Sequence, residues 1–281
     1  YADELGFNLM FNEHHQTATC LNPQPSITAA SIIRRTKNAK ICILGYPLPH
    51  RGNPLRVAEE VAMLDVMSRG RIECGFVPGV GMEVHPSNVK PTEIKDRYYE
   101  AHDLIKKAWT SQEVFSWEGK YYHFRYANPF PRPYQEPHPP IWITLGSNIE
   151  QIRWAAENQY TCAVFLSGFT VLDKLFNYYR QFSKEAGFPE PGPEKVAYLA
   201  LTYTAETDEL AEKEGKDLLW YLYTREPHWF RFPPGVRSVE YRKGIYQPKK
   251  GSFNPKTATW EELNEKGIII SGSPDTVAKK M

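Results

Sequence analysis

Gly6-Phe7-Asn8-Leu9-Met10-Phe11-Asn12-Glu13-His14-His15 is the stretch whose reading settles the architecture. Phe7 to Phe11 is apolar, entered through a glycine and too short for a helix, so it reads as a strand. An acid and two imidazoles follow it, not the glycine-rich phosphate loop that opens a doubly wound sheet. In a chain of alternating strands and helices, that favours a closed barrel, where polar groups at strand C-terminal ends face the active site. Imidazole changes charge near neutral pH, which suits proton transfer. The plainer reading is a pair of loop residues bonded to their neighbours, and this segment alone does not choose between the two.

The alternation continues down the chain. A helix is expected over Ile27–Thr36, with Ile27, Ala30, Ile32 and Ile33 apolar, and a strand over Lys40–Tyr46 that stops at Pro47 and Pro49. Asn53 caps a helix whose first position is Pro54, where proline's missing N–H costs nothing. Val57, Val61, Leu64 and Met67 share helical spacing, and Gly70 ends that helix. Ile72–Val77 is the next strand, opening into Pro78-Gly79-Val80-Gly81. An amphipathic helix over Glu93–Thr110 precedes a small hairpin over Val114–Phe124, turning at Glu118-Gly119. A proline-laden segment, Pro129 to Pro140, leads to three more strands at Ile141–Leu145, Thr161–Leu166 and Lys195–Thr204. Their helices are expected over Ile149–Asn158, Val171–Ala186 and Asp208–Thr224.

Near-continuous apolar strands alternating with amphipathic helices imply a parallel sheet covered on both sides. The fold class expected is α/β, a TIM-type (β/α)8 barrel, with residues 1–281 forming one domain. Six strands are legible where a closed barrel needs eight. The chain opens on Tyr1-Ala2-Asp3-Glu4-Leu5, which reads as a helix end, and stops on Ser273-Pro274-Asp275-Thr276-Val277-Ala278, which reads as a capped helix beginning. A fragment lacking the first and last strands is therefore expected. Glu226–Phe253, rich in Pro, Gly, Arg and Tyr, reads as a lid-like insertion. Its Arg231, Arg237, Arg242 and Lys243 are solvated charges or anion contacts.

Composition narrows the function. With 34 Lys and Arg against 33 Asp and Glu the net charge is +1, so no basic excess points to nucleic acid. No apolar run approaches the roughly 20 residues of a membrane helix. Cys20, Cys42, Cys74 and Cys162 are scattered without metal-site spacing, and the last three fall in strand-like runs. That points to buried thiols in a reducing compartment, the cytoplasm. Adjacent strand residues face opposite ways, so His14 and His15 do not form the His-x-His pair of a metal hydrolase, and no metal is expected.

Four segments together resemble the bacterial luciferase-like flavin monooxygenases, a family of eightfold barrels. They are Gly6-Phe7 leading into Glu13-His14-His15; Leu48-Pro49-His50 with Asn53-Pro54-Leu55-Arg56-Val57-Ala58-Glu59-Glu60 and Leu64-Asp65; Ser68-Arg69-Gly70-Arg71 leading to Gly75-Phe76-Val77-Pro78-Gly79; and Pro139-Pro140-Ile141-Trp142-Ile143. The resemblance covers nearly the whole chain, the lid-like region least.

It implies reduced flavin mononucleotide reacting with dioxygen to oxidise a small organic substrate, the flavin arriving from a separate reductase. No nicotinamide-binding fingerprint is present to reduce it within the chain. His14 matches the family's proton-transfer histidine, with Glu13 and His15 orienting it or lining the pocket. The flavin is expected against Leu44-Gly45, a peptide sometimes cis in the family, and at the strand end Val77-Pro78-Gly79. Pro78 stands where luciferase has a basic residue, so the phosphate falls to Gly146-Ser147 at a helix start. Ser147 reads equally as an ordinary helix cap.

Arg97 and Glu100, also at family positions, are expected to form structural ion pairs, and Asp65 and Arg71 to fix a turn. Trp117, Tyr121, Tyr122, Trp220, Tyr221 and Tyr223 read as packing. A homodimer through Ile27–Thr36 and Val57–Met67 is expected. Two alternatives stay open: a deazaflavin-dependent hydride-transfer oxidoreductase on the same scaffold, and a flavin-binding barrel without turnover.

Overall fold

A computed structural model describes residues 1–17, 20–79, 81–84, 86–146, 148–219 and 258–281. The described residues fall into two compact units, 1–143 and 144–219 with 258–281.

The first unit runs β1 (Leu9–Phe11), α1 (Pro25–Ile33), β2 (Ile41–Pro47), α2 (Pro54–Ser68), β3 (Ile72–Val77), the short α3 (Gly81–Val84), α4 (Ile94–Thr110), a hairpin of β4 (Phe115–Glu118) and β5 (His123–Ala127), then β6 (Ile141–Thr144). β1, β2, β3 and β6 are neighbours in that order and all parallel. Every residue of β2 is buried, as a strand covered on both faces requires. α2 starts as its sequence dictates: the Asn53 side chain accepts the Leu55 N–H and Pro54 takes the first position. Val57, Ala58, Val61, Ala62 and Leu64 bury its inner face. Its end comes one residue earlier than Gly70 predicts, because Arg69 already turns left-handed at φ 56°.

α1 differs from expectation in bounds and in facing. It spans Pro25–Ile33 and buries Pro25, Ala29 and Ile33, while Ile27 is exposed. Arg71 holds its far end. The guanidinium donates to the carbonyls of Ile33, Thr36, Ala39 and Ser68 and to the Thr36 hydroxyl. Asp65, fully buried, accepts from the backbone N–H and side-chain amide of Gln135, which anchors the proline-laden segment. Both residues fix turns, over a longer range than the sequence shows.

Arg97 pairs with Glu93 (2.9 Å), and its guanidinium lies over the Tyr121 ring. Among the described residues Glu100 forms no ion pair, contrary to expectation. Its carboxylate accepts the backbone N–H groups of Lys120, Tyr121 and Tyr122 and the Trp117 indole N–H, so it is the clamp of the hairpin turn. Glu100→Ala is expected to cost about 2–3 kcal/mol, because it orphans donors that shared one charged acceptor. A urea titration checks this, and a midpoint equal to wild type contradicts the clamp.

The second unit contains α5 (Ile149–Glu157), β7 (Thr161–Phe165), α6 (Phe169–Glu185), β8 (Val196–Leu199), β9 (Leu201–Thr204), α7 (Asp208–Gly215), α8 (Trp260–Glu265), β10 (Ile269–Gly272) and α9 (Pro274–Lys280). β7 pairs β8 in parallel, and β9 pairs β10 in parallel. The strand expected over Lys195–Thr204 is thus divided at Ala200. β10 corrects the sequence reading, which passed over Ile268-Ile269-Ile270; the helix expected from Ser273 on is present as α9, with the Ser273 hydroxyl accepting the Thr276 N–H. Four residues between glycines are too few for a periodic signal, and the run lies beyond the unreadable 226–253 stretch. Its side chains are fully buried with Leu263, Trp260 and Ala258. The lid-like stretch, its four cations, and Trp220, Tyr221 and Tyr223 lie outside the described residues.

Candidate active site

Glu13, His14 and His15 follow β1, and each is held by a partner distant in sequence. Glu13 is 2% exposed. One of its oxygens lies 2.8 Å from His15 Nε2, and the other accepts from Arg51 at 2.7 Å. Arg51 also reaches both oxygens of Glu60 at 3.2 Å and lies over the buried Tyr46 ring, 5.0 Å from its centre. Burial raises the Glu13 carboxyl above its usual range, and the Arg51 charge and the His15 contact oppose that rise. His14 Nδ1 lies 3.0 Å from Glu83 Oε1, and the same oxygen accepts the His15 backbone N–H at 3.1 Å. The two imidazoles therefore turn to different carboxylates. A cavity of 330 Å³ has His14, His15, Thr17 and Cys20 on its wall, within the size range of small-molecule sites. A larger one of 520 Å³ beside Trp109, Arg132 and Gln135 holds no imidazole or thiol, and no role attaches to it.

Gly79 sits in the same neighbourhood. Its φ of 84° is one that side chains resist, and a Cβ there would fall on His50 Nε2, with Glu83 Oε2 at 3.4 Å. The other nitrogen of His50 lies 2.8 Å from the Ser87 hydroxyl, which donates to the Val84 carbonyl. His50 thus touches the loop after β3 at two points. Burial holds its pKa below the ordinary value, with the Glu83 charge and the Pro78 carbonyl pulling the other way. A histidine pushed down this way is bound neutral in the fold, so its contribution to stability is complete above pH 6.5 and is lost as pH falls through the folded value. Unfolding midpoints between about pH 7 and 5 should fall less steeply for His50→Asn than for wild type; parallel slopes would exclude this group as the source.

Leu44–Gly45 is a cis peptide. It coincides with a one-residue slip in register, since Ile43 faces Cys74 while Tyr46 faces Phe76. That is a bulge, a device common beside active sites. A Cβ on Gly45 would lie 2.6 Å from the Gly75 carbonyl oxygen, so the two glycines let β2 and β3 touch backbone to backbone. Leu44 is buried, and Val77 and Pro78 are half-buried at the end of β3. Gly146 belongs to the second unit, where a Cβ would meet open space. Ser147 lies outside the described residues, and the cap of α5 is Asn148, which accepts the Glu150 N–H.

The structure thus brings His14, the His15 backbone N–H and Gly79 together around Glu83, joins Glu13 to His15 and Arg51, and adds Arg51, Glu60, His50 and Tyr46, none of which the sequence offered as site residues. The pairings that assemble the site, His50 with Ser87, Glu13 with Arg51 and His14 with Glu83, span 37, 38 and 69 residues, beyond any local pattern. His50 stands inside a family segment, and that was the one available hint.

Three buried polar atoms in residues 46–51, Tyr46 Oη, His50 Nε2 and Arg51 Nε, have no hydrogen-bond partner among the described residues. Native structures rarely leave such atoms unsatisfied, so their grouping fits a polar occupant.

This geometry belongs to a known class. The chain matches the family described as luciferase-like monooxygenase over residues 1–281, and it belongs to that family. Among its relatives, the uncharacterized protein y4wF of Sinorhizobium fredii is 32% identical over 160 residues, covering 56% of this chain and 45% of that protein. The oxygenase component of the flavin-dependent trigonelline monooxygenase of Acinetobacter baylyi is 24% identical over 256 residues, 88% of this chain and 67% of that one. The oxygenating constituent of 3,6-diketocamphane monooxygenase of Pseudomonas putida is a type II Baeyer–Villiger enzyme solved with FMN. It superposes with a TM-score of 0.79 at 26% identity, over 99% of this chain and 78% of its own. The chain therefore spans less than half the length of the Sinorhizobium protein and two thirds or more of the other two.

Proposed function

We propose that this chain is the oxygenating component of a reduced-flavin monooxygenase, built on a (β/α)8 barrel, that oxidises a small organic substrate with dioxygen. The observation that carries this is the pairing of His14 with Glu83 and of His15 with Glu13 after β1, in the same unit as a glycine-on-glycine bulge at residues 44–45 and 75. Reduced FMN, when bound, supplies the electrons that activate dioxygen.

The protein's part is to hold and to move protons. Leu44-Gly45 and the end of β3, Val77 to Gly79, offer the surface for the ring. The phosphate is assigned to Gly146, which precedes α5 in the second unit. His14 receives or gives the proton at Nε2, a role in which a well-placed group contributes about 10²–10⁴-fold. Glu13, held by Arg51, orients His15 on the pocket wall.

Reduced flavin comes from a separate reductase, in keeping with the name of the Acinetobacter relative as an oxygenase component. The chain acts in the cytoplasm as a homodimer. Supporting this, Cys42, Cys74 and Cys162 are buried free thiols. Ile27 on α1 and Met63, Val66 and Met67 on α2 are exposed apolar side chains available to a second copy. The stripe of Val57, Val61 and Leu64 faces inward instead. Among the described residues, no helix is long and apolar enough to cross a membrane.

Thermal unfolding with added FMN tests the cofactor assignment. FMN is expected to raise the midpoint in a saturable way. A rise with deazaflavin alone moves the protein to hydride transfer, and no rise with either removes the flavin reading.

A further inference from the structure

We propose that Glu83 is the positioning residue for His14: its buried carboxylate keeps a proton on Nδ1 and so leaves Nε2 as the atom that accepts one. The inference deepens, and rests on, the reading of His14 as the proton-transfer group.

The assignment follows from which atoms can donate. Glu83 is 2% exposed, and its Oε1 receives the His15 backbone N–H, a group that only donates. As an ionised carboxylate oxygen it can only accept. His14 Nδ1, 3.0 Å from the same oxygen, must then present its own N–H to it. In a neutral ring only one nitrogen is protonated, so Nε2 carries the lone pair. Proton transfer adds a proton at Nε2, leaves Nδ1–H in place and leaves Glu83 ionised. The resulting imidazolium lies against a carboxylate shielded from water, the way buried acids orient working histidines in other proteins.

The chain invests in placing this carboxylate. Glu83 lies on α3, a single turn of helix that could not hold its own position. Gly79 makes the turn into it at φ 84°, and His50 packs on the face of Gly79 where a Cβ would be. The same imidazole contacts Ser87, whose hydroxyl is bonded to the Val84 carbonyl just past Glu83. One ring thus holds the segment on both sides of the acid. Among the described residues, titratable groups near His14 include Glu13 and His15 on its own loop, Arg51 behind Glu13, His50 behind Glu83, and Cys20 on the shared cavity wall.

The test is nitrogen-15 NMR of the full chain labelled at histidine and free of flavin, where ring shifts distinguish the two tautomers. Wild-type His14 is expected as Nδ1–H, and Glu83→Ala is expected to shift it to a mixture with Nε2–H. An Nε2–H ring in the wild type, or the same tautomer in both proteins, overturns the proposal. If Glu83→Ala does not fold, Glu83→Gln decides instead, because it keeps the shape without the charge. Its kcat is expected to fall about 10–100-fold at unchanged flavin affinity, and a wild-type kcat overturns the proposal. The tautomer is read without cofactor, so failure of the flavin reading leaves that result standing on its own.

Discussion

His14→Ala is expected to slow substrate oxidation about 10²–10⁴-fold at saturating reduced flavin, the loss associated with removing a positioned proton-transfer group. The effect is chemical rather than structural. His14 is 14% exposed at its side chain and contacts Glu83 from the edge of a cavity, so alanine removes no core packing. It does strip a partner from a buried carboxylate, which costs about 1–3 kcal/mol. Flavin affinity and the unfolding midpoint should therefore be measured on the same preparation. Near-normal affinity with a rate loss of this size assigns the proton step to His14, whereas an oxidation rate within about twofold of wild type removes it from the mechanism.

Gly45→Ala carries the largest expected stability loss, about 3 kcal/mol or more. The added Cβ meets Gly75 O at 2.6 Å, Gly75 C at 2.7 Å and Phe76 N at 3.2 Å, all backbone atoms of the adjoining strand. A flexible side chain could swing aside; a hydrogen-bonded β3 between β2 and β6 cannot. Gly146→Ala is the matched control. Nothing lies within 4 Å of a Cβ there, so its midpoint should move by no more than about 0.5 kcal/mol. Equal stability of the two variants would show that the 45–75 contact is not tight.

The strands and helices were readable because burial on both faces leaves continuous apolar runs and helix caps leave local residue signatures. β2 and α2 illustrate this: Ile41–Pro47 is wholly apolar apart from a tyrosine hydroxyl, and Asn53-Pro54 announces the helix. β10 was invisible because four residues carry no period. Within the site, His14 stood out as an imidazole at a strand end, but Glu83 did not. On a sequence, an acid in a one-turn helix looks like a solvated charge, and only the turn at Gly79 and the His50 contact bury it against residue 14. Arg51 was passed over for the same reason. A cation two residues before a helix cap reads as surface, yet it neutralises Glu13 and Glu60 together. Long-range charge pairing has no local pattern, so it emerges only once the strands are laid side by side.

Stopped-flow mixing of dioxygen with the protein and reduced FMN, wild type beside His14→Ala, is the most direct measurement. Reoxidation of the protein-bound flavin should follow a time course distinct from free flavin, and the substitution should alter its proton-dependent phase. Identical traces for wild type, variant and free reduced FMN would show that position 14 does not face a flavin in this protein.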